Sequence, residues 1–279
     1  MINHKKYRVP TVLSIAGFDG SGGAGIQADT KTASSLGCYS MNVLTALPVQ
    51  NTQGVRQIYE IPAVAVKDQL DAIFEDIYPD AVKIGMVHTI ELVELISTYL
   101  KDYSGPIVFD PVMVSTSGHK LIQDDTIQAC MELLFPLATL ITPNLDEVSV
   151  LVQEVIDNVQ NMEKAGNTLL SKGCQAVLVK GGHLQSEVLT SLLLQHNKPA
   201  LKFESQKIDS KNTHGSGCSL SSAIASHLAQ GTPLDQAVAS GLSYIHAAIA
   251  SSKNLVIGKG NGPLNHFHNP LKLIQYEMD

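Results

Sequence analysis

Six short apolar runs recur along the chain, at Thr11–Ala16, Tyr39–Leu47, Ala81–Ile84, Pro106–Phe109, Thr139–Ile141 and Ala176–Val179. Most lack the polar alternation of a half-solvated strand, so they read as strands buried on both faces, the condition of a parallel sheet covered by helices. Segments of helical period fill the gaps: Ala24–Leu36, Ala63–Ile77, Thr89–Lys101, Asp125–Phe135, Leu145–Val152 and Met162–Ser171. Strand, helix and strand at this spacing require right-handed crossovers. Leu189–Leu194 and Ala200–Glu204, joined by Gln195-His196-Asn197-Lys198-Pro199, read as an antiparallel hairpin at one sheet edge. Two helices close the chain. Gly217–Gln230 stops at Gly231, a natural left-handed residue, and Thr232 caps Leu234–Ser251 with Pro233 at its first position. The expected fold class is α/β, with a mostly parallel central sheet, helices on both faces and one domain over residues 1–279.

Composition narrows the function. With 44% hydrophobic and 16% charged residues, the chain is not of the disordered type. Its net charge of −7 argues against a nucleic-acid partner, so an anionic ligand has to be held by local geometry. The cysteines, Cys38, Cys130, Cys174 and Cys218, form no Cys-x-x-Cys pair; neither a zinc site nor a disulfide framework is readable, and free thiols suit a reducing cytoplasm. No apolar run reaches the roughly 18 residues of a membrane span, and the run Val12–Ala16 behind the polar first ten residues is too short for a signal peptide.

Ligands of such folds sit beyond the carboxyl ends of the strands, and five segments there could carry chemistry. The first, Gly17-Phe18-Asp19-Gly20-Ser21-Gly22-Gly23-Ala24-Gly25, contains a dinucleotide-type glycine pattern. The acid that should follow the second strand is missing, and no lysine makes it a Walker loop. Five glycines in nine residues still exceed the needs of a tight turn, so the loop is expected to face a ligand. The second is Asp110-Pro111-Val112-Met113, where Asp110 either forms a turn or holds a divalent cation through water. The third is Asn144-Leu145-Asp146-Glu147, where Asn144 and Glu147 fit a capping box or face the same magnesium and water as Asp110. The fourth is Lys180-Gly181-Gly182-His183, a strand-end lysine suited to phosphate, or one that snorkels. The fifth is Asn212-Thr213-His214-Gly215-Ser216-Gly217-Cys218, opening a helix. Converging amides and the helix start form an anion hole, and Cys218 sits where a thiol pKa should fall. His214 reads as a satisfied polar residue, without a catalytic role. A held polyphosphate, a cation, oriented donors and a positioned hydroxyl together describe phosphoryl transfer.

With Gly22–Asp29, Gln50-Asn51-Thr52, Gly85-Met86, Asp110-Pro-Val-Met, Thr142-Pro-Asn-x-x-Glu147, Val179-Lys-Gly-Gly-His183, Asn212-Thr-His-Gly-x-Gly-Cys218 and Gly258-x-Gly260-x-Gly262-Pro263, the chain resembles the hydroxymethylpyrimidine/phosphomethylpyrimidine kinases of thiamine synthesis. The resemblance covers nearly the whole chain in order. It implies a ribokinase-like fold and two ATP-dependent phosphorylations, of 4-amino-5-hydroxymethyl-2-methylpyrimidine and then of its monophosphate. Pyridoxine or pyridoxal phosphorylation is the alternative, because that ring also bears a hydroxymethyl arm. By position, Gly17, Asp29, Gln50, Met86 and Val112 would line the pyrimidine pocket, with Gln50 reading an aminopyrimidine edge as acceptor and donor. Asp110, Asn144, Lys180 and Thr213 would contact ATP, and Asp110 and Glu147 would organise magnesium. Gly215, Gly217 and the Cys218 amide would form the anion hole, with Cys218 as the base. The resemblance also implies a homodimer. Phe18 and Gly20 depart from the pattern at the pocket rim, Leu242 stands where some members have an ATP-contacting lysine, and His88 has no counterpart.

Overall fold

The computed structural model describes residues 5–113, 122–182 and 187–278. Its strands are β1 (Tyr7–Arg8), β2 (Thr11–Ala16), β3 (Tyr39–Leu44), β4 (Ala46–Asn51), β5 (Gly54–Glu60), β6 (Ala81–Ile84), β7 (Ile107–Phe109), β8 (Leu140–Ile141), β9 (Ala176–Lys180), β10 (Val188–Gln195), β11 (Leu201–Gln206) and β12 (Tyr276–Glu277). Its helices are α1 (Gly25–Ser35), α2 (Ala63–Asp76), α3 (Ile90–Leu100), α4 (Asp124–Ala129), α5 (Leu145–Val152), α6 (Val159–Ser171), α7 (Ser216–Ala229) and α8 (Leu234–Ser252).

Eight strands form the central sheet in the order β11-β10-β9-β8-β7-β6-β2-β3. From β9 to β3 every pairing is parallel, and the β10–β11 hairpin adds antiparallel strands at one edge, as expected. The apolar runs resolve into two faces. Leu13, Ile15, Val82, Ile84, Ile107, Phe109, Ile141, Val177 and Val179 pack with Val66, Leu70, Leu92, Ile96, Val148 and Leu169 of α2, α3, α5 and α6. The alternating residues Val12, Ala81, Val108, Leu140, Ala176 and Leu178 pack with Ala33, Leu220, Ile224, Val238 and Ala248 of α1, α7 and α8. A strand that is apolar throughout is thus one whose two faces serve two different helix layers. The α7/α8 layer is close-packed: a Cβ on Gly241 would lie 2.8 Å from Ile224 Cγ1.

Chain order reverses at β2, with β3 on one side and β6 on the other. In open α/β sheets a crevice opens at that switch point, beyond the carboxyl ends of the strands.

Several sequence boundaries shift. The run Tyr39–Leu47 is not one strand: Thr45 breaks it, its amide donating to Ala16 O at 3.0 Å and its hydroxyl to Met86 O at 2.6 Å. Beyond Thr45 the chain leaves the sheet as a separate β4–β5 hairpin that the sequence reading missed. The Asp125–Phe135 helix begins at Asp124, widens to a π turn at Cys130–Leu134 and tightens at Phe135–Leu137, where Pro136 cannot donate. The helix expected at Met162 starts at Val159, because Asn158 accepts from the Asn161 amide as its cap. Pro233 occupies the cap position of α8, so Thr232 is not the cap. Gly231 takes φ 82°, as expected of a helix-ending glycine.

Phe109 on β7 is 1% exposed and meets Phe135 edge to face at 5.5 Å. Phe109→Ala should cost about 3–5 kcal/mol of unfolding free energy, measured by urea denaturation.

Candidate active site

At the switch point lies a cavity of about 670 Å³, within the range of small-molecule sites. It is lined by Gly17, Gln50, Met86, Val112, Asp110, Asn144, Glu147, Lys180, Thr213, Gly215, Gly217 and Cys218, which are the sequence-derived site residues with one exception. That exception is Asp29. It is 1% exposed and sits behind the cavity floor, where Ser14 and Ser222 hydroxyls donate to it at 2.5 and 2.7 Å and Lys83 pairs with it at 2.8 Å. A charge already bound on all these sides does not line a pocket for a neutral ring.

One end of the cavity is walled by Gly17, Phe18, Gln50, Met86 and Val112. Gly17 follows β2, and a Cβ there would lie 3.3 Å from Met86 Sδ, so the missing side chain lets the thioether close that wall. Gln50 comes from the β4–β5 hairpin, and its Nε2 donates to Phe18 O at 3.4 Å. Phe18, a departure noted from the sequence, lines the cavity too.

The glycine-rich loop does less with a ligand than its sequence suggests. Asp19, wholly buried, accepts from the Ser21, Gly23 and Ala24 amides at 2.9, 3.0 and 2.8 Å. These amides are therefore occupied by the protein's own carboxylate; Gly17, Phe18, Ala24 and Gly25 are the loop residues that reach the cavity. Asp19 also meets His214 Nε2 at 2.8 Å. Burial acts to raise the Asp19 pKa, but the hydrogen bonds from His214 and Ser21 and the charge of His214 outweigh it and hold the carboxyl down at about 2. His214 is thus the satisfied polar residue the sequence indicated.

The other end presents backbone amides at a helix start. Gly215 adopts φ 80°, and a Cβ there would lie 1.8 Å from Gly23 O, so only glycine fits. Helix α7 begins at Ser216, which places the Gly217 and Cys218 amides in its first turn, where no intrahelical acceptor exists. The loop is pinned from behind. Asn212 Nδ2 donates to Ser252 O and Leu255 O at 2.5 and 2.9 Å, and the His214 amide to Gly262 O at 3.0 Å. A Gly262 Cβ would collide with Asn212 Oδ1 at 1.9 Å, which accounts for part of the closing glycine motif.

Asp110 is 2% exposed, accepts from Thr142 at 3.0 Å and pairs with Lys180 at 2.9 Å. Burial acts to lower the Lys180 pKa, yet the charges of Asp110 and Glu147 raise it above the ordinary lysine value. Asn144 and Glu147 form the capping box of α5, with bonds of 2.8 and 3.0 Å, and also line the cavity with Asp110. Burial and then the Asp110 charge push the Glu147 carboxyl up to about 7, against the pull of Lys180. Asp110 and Glu147 are hard oxygen donors of the kind magnesium takes, one or two at a time with phosphates and water. His183 lies outside the described residues.

The thiol departs from expectation. Cys218 lines the cavity at the start of α7, but burial pushes its pKa up to about 11. Lys83 and the Gly25 amide lower it, and Asp29 and Asp110 raise it further. Desolvation outweighs the helix start. Lys83 itself, fully buried on the cavity floor, was missed by the sequence reading; the signal was a lysine inside the apolar strand Ala81–Ile84. Leu242 packs against the apolar layer of α7 and α8. His88 is half-buried, its two ring nitrogens out of solvent and without a hydrogen bond among the described residues, and burial lowers its pKa.

This geometry can be set beside known proteins. The phosphomethylpyrimidine kinase family matches residues 19–265. The chain belongs to that family. It is 44% identical over 257 residues to a hydroxymethylpyrimidine/phosphomethylpyrimidine kinase of Rhizobium meliloti (strain 1021), covering 92% of this chain and 96% of that protein. The crystal structure of phosphomethylpyrimidine kinase from Clostridium difficile 630 superposes with a TM-score of 0.75 at 42% identity, over 86% of this chain and 99% of that one. An ADP complex of Bacillus subtilis pyridoxal kinase superposes with a TM-score of 0.85 at 35% identity, over 93% and 98%. The family member described here is a phosphotransferase with the ribokinase-like three-layer fold. No helix among its described residues is long and apolar enough to cross a membrane.

Because the folded Glu147 pKa lies above its unfolded value, the native state binds the extra proton between the two. Its contribution to stability is present below about pH 4.5 and lost as pH rises through about 7. Glu147→Gln, which keeps a capping side chain, should flatten that decline in urea midpoints measured across the interval without nucleotide or metal.

Proposed function

We propose that this chain transfers the γ-phosphoryl group of ATP to the hydroxymethyl group of 4-amino-5-hydroxymethyl-2-methylpyrimidine, and then phosphorylates the monophosphate to the diphosphate. The observation that carries the residue assignment is that Gln50 and the 215–218 segment line one cavity. With Nε2 tethered to Phe18 O, the Gln50 amide keeps Oε1 as acceptor for the exocyclic amine and its second N–H for the ring nitrogen. Met86 and Val112 pack on the ring, and Gly17 leaves room for it. The 5-hydroxymethyl arm then points to Cys218.

Lys180, Thr213 and Asn144 bind the ATP phosphates. The transferring group rests on the Gly215, Gly217 and Cys218 amides, where the start of α7 adds about half a positive charge as negative charge develops. Asp110 and Glu147 suit magnesium as two carboxyl groups lining one cavity beside the phosphate-binding residues. Bound there, the ion would neutralise phosphate charge. Cys218 in its ionised form, the minor one at neutral pH with a pKa pushed up to about 11, takes the alcohol proton as the oxygen bonds to Pγ, the bond to the bridging oxygen breaks, and ADP leaves with the electron pair. The second acceptor differs, because a phosphate monoester with a second pKa of about 6 is already ionised and needs no base.

The same reading takes the protein to be cytoplasmic, as its four free thiols suggest, and a homodimer, since the β4–β5 hairpin exposes Leu47, Val49 and Tyr59. Pyridoxal is a second acceptor to test, given the match to a pyridoxal kinase. Gln50 fits an aminopyrimidine edge better than a 3-hydroxypyridine edge, so kcat/KM should be lower for pyridoxal.

Cys218→Ala should lower kcat for the alcohol step by about 10²–10⁴ and the phosphate step much less, resolved by mass assay of mono- and diphosphate. No turnover of the pyrimidine by the unmodified protein would overturn the proposal. Gln50→Ala should raise KM for the pyrimidine far more than for ATP; equal rises would remove the base-reading role.

A further inference from the structure

Lys83 is the costliest residue of the central sheet. It lies on β6 opposite Ser14 of β2, and both side chains face the α1/α7 layer. There Asp29 of α1 takes Lys83 and Ser14 on one oxygen and Ser222 of α7 on the other. Four elements thus converge on one wholly buried ion pair. An apolar side chain would satisfy the fold at least as well, since a buried pair often gains nothing over well-packed hydrophobic residues. Ala81, two positions earlier on the same face, is apolar.

The ammonium serves the cavity. Lys83 lines it together with Cys218, and a Cβ on Gly85 would lie 2.7 Å from Nζ, so glycine leaves room for the charge at the strand end. Charges of both signs act on the sulfur: Lys83 of β6 and Lys180 of β9 favour a thiolate, whereas Asp29 of α1 and Asp110 beyond β7 oppose it. The Gly25 amide, at the start of α1, also favours it.

We propose that Lys83, held by Asp29, is a positioning residue for Cys218, supplying the fixed positive charge beside which the thiolate that accepts the alcohol proton can exist. This rests on Cys218 being the base. Asp29 has two opposed effects: it anchors the ammonium, and it repels the thiolate.

The test reads the thiol directly. Iodoacetamide alkylation of the full-length, ligand-free protein is followed against pH, with Cys218→Ala as the blank; Cys38, Cys130 and Cys174 are buried. Lys83→Met should move the midpoint to higher pH and slow alkylation at about pH 8 by about tenfold or more. Asp29→Asn, in which the ammonium keeps its place, should move it to lower pH. A purely structural pair would leave both midpoints in place or move them the same way, and either result overturns the proposal. Each sign stands alone, so whichever variant folds, by its near-UV dichroism, decides; failure of both to give a folded protein would make the pair structural and also overturn it. A Cys218→Ala enzyme that still phosphorylates the alcohol would instead refute the base assignment, without altering the alkylation profiles.

Discussion

Two glycine loops have to touch for this site to exist. Gly215 lies so close to the Gly23 carbonyl that no Cβ fits between them, and the Asp19–His214 pair fastens the same two segments. One loop ends β2 and forms a wall of the ring pocket; the other opens α7 and presents amides to a phosphoryl group. Their separation sets how far an acceptor oxygen lies from the transferring phosphorus. Reaction rates depend on such distances at the ångström scale, and here a backbone contact and a buried side-chain pair together fix the joint.

Around that joint, charges of opposite sign alternate. Lys83 lies on the floor with Asp29 behind it, Asp110 and Lys180 pair across the cavity wall, and Glu147 lies beside them. A cavity with this much buried charge is expensive to fold, and each member offsets its neighbour's desolvation. The arrangement is also responsive: a phosphate or a proton arriving at one position changes what the others feel.

Most of the sheet was legible because apolar strands and helical periods are local signals, and the 11–16, 81–84 and 176–179 runs emerge almost unchanged. The β4–β5 hairpin was not: Tyr39 to Leu47 is continuous in hydrophobicity, and the Thr45 break depends on bonds to Ala16 and Met86, distant in sequence. Asp110, Asn144, Glu147, Lys180 and the 212–218 loop were legible as glycine and polar patterns at strand ends, whereas Gln50, Met86 and Val112 came from the family resemblance. Their electrostatics were not, because a pKa depends on burial. Asp29 looked like a pocket residue until its partners Ser14, Lys83 and Ser222 were located, and Cys218 looked acidic until its desolvation was counted. Lys83 was visible as an anomaly, but its purpose required three dimensions.

The tip of the β4–β5 hairpin ties together segments far apart in the chain. Thr52 O accepts from the Asn261 amide at 2.9 Å and Thr52 Oγ1 from Gly260 at 3.1 Å, while the carbonyl of the next glycine, Gly262, accepts from the His214 amide. The hairpin that carries Gln50 and the loop that opens α7 are therefore spliced through one short strip of residues, 260–262, and a change at the hairpin tip reaches both walls of the cavity at once.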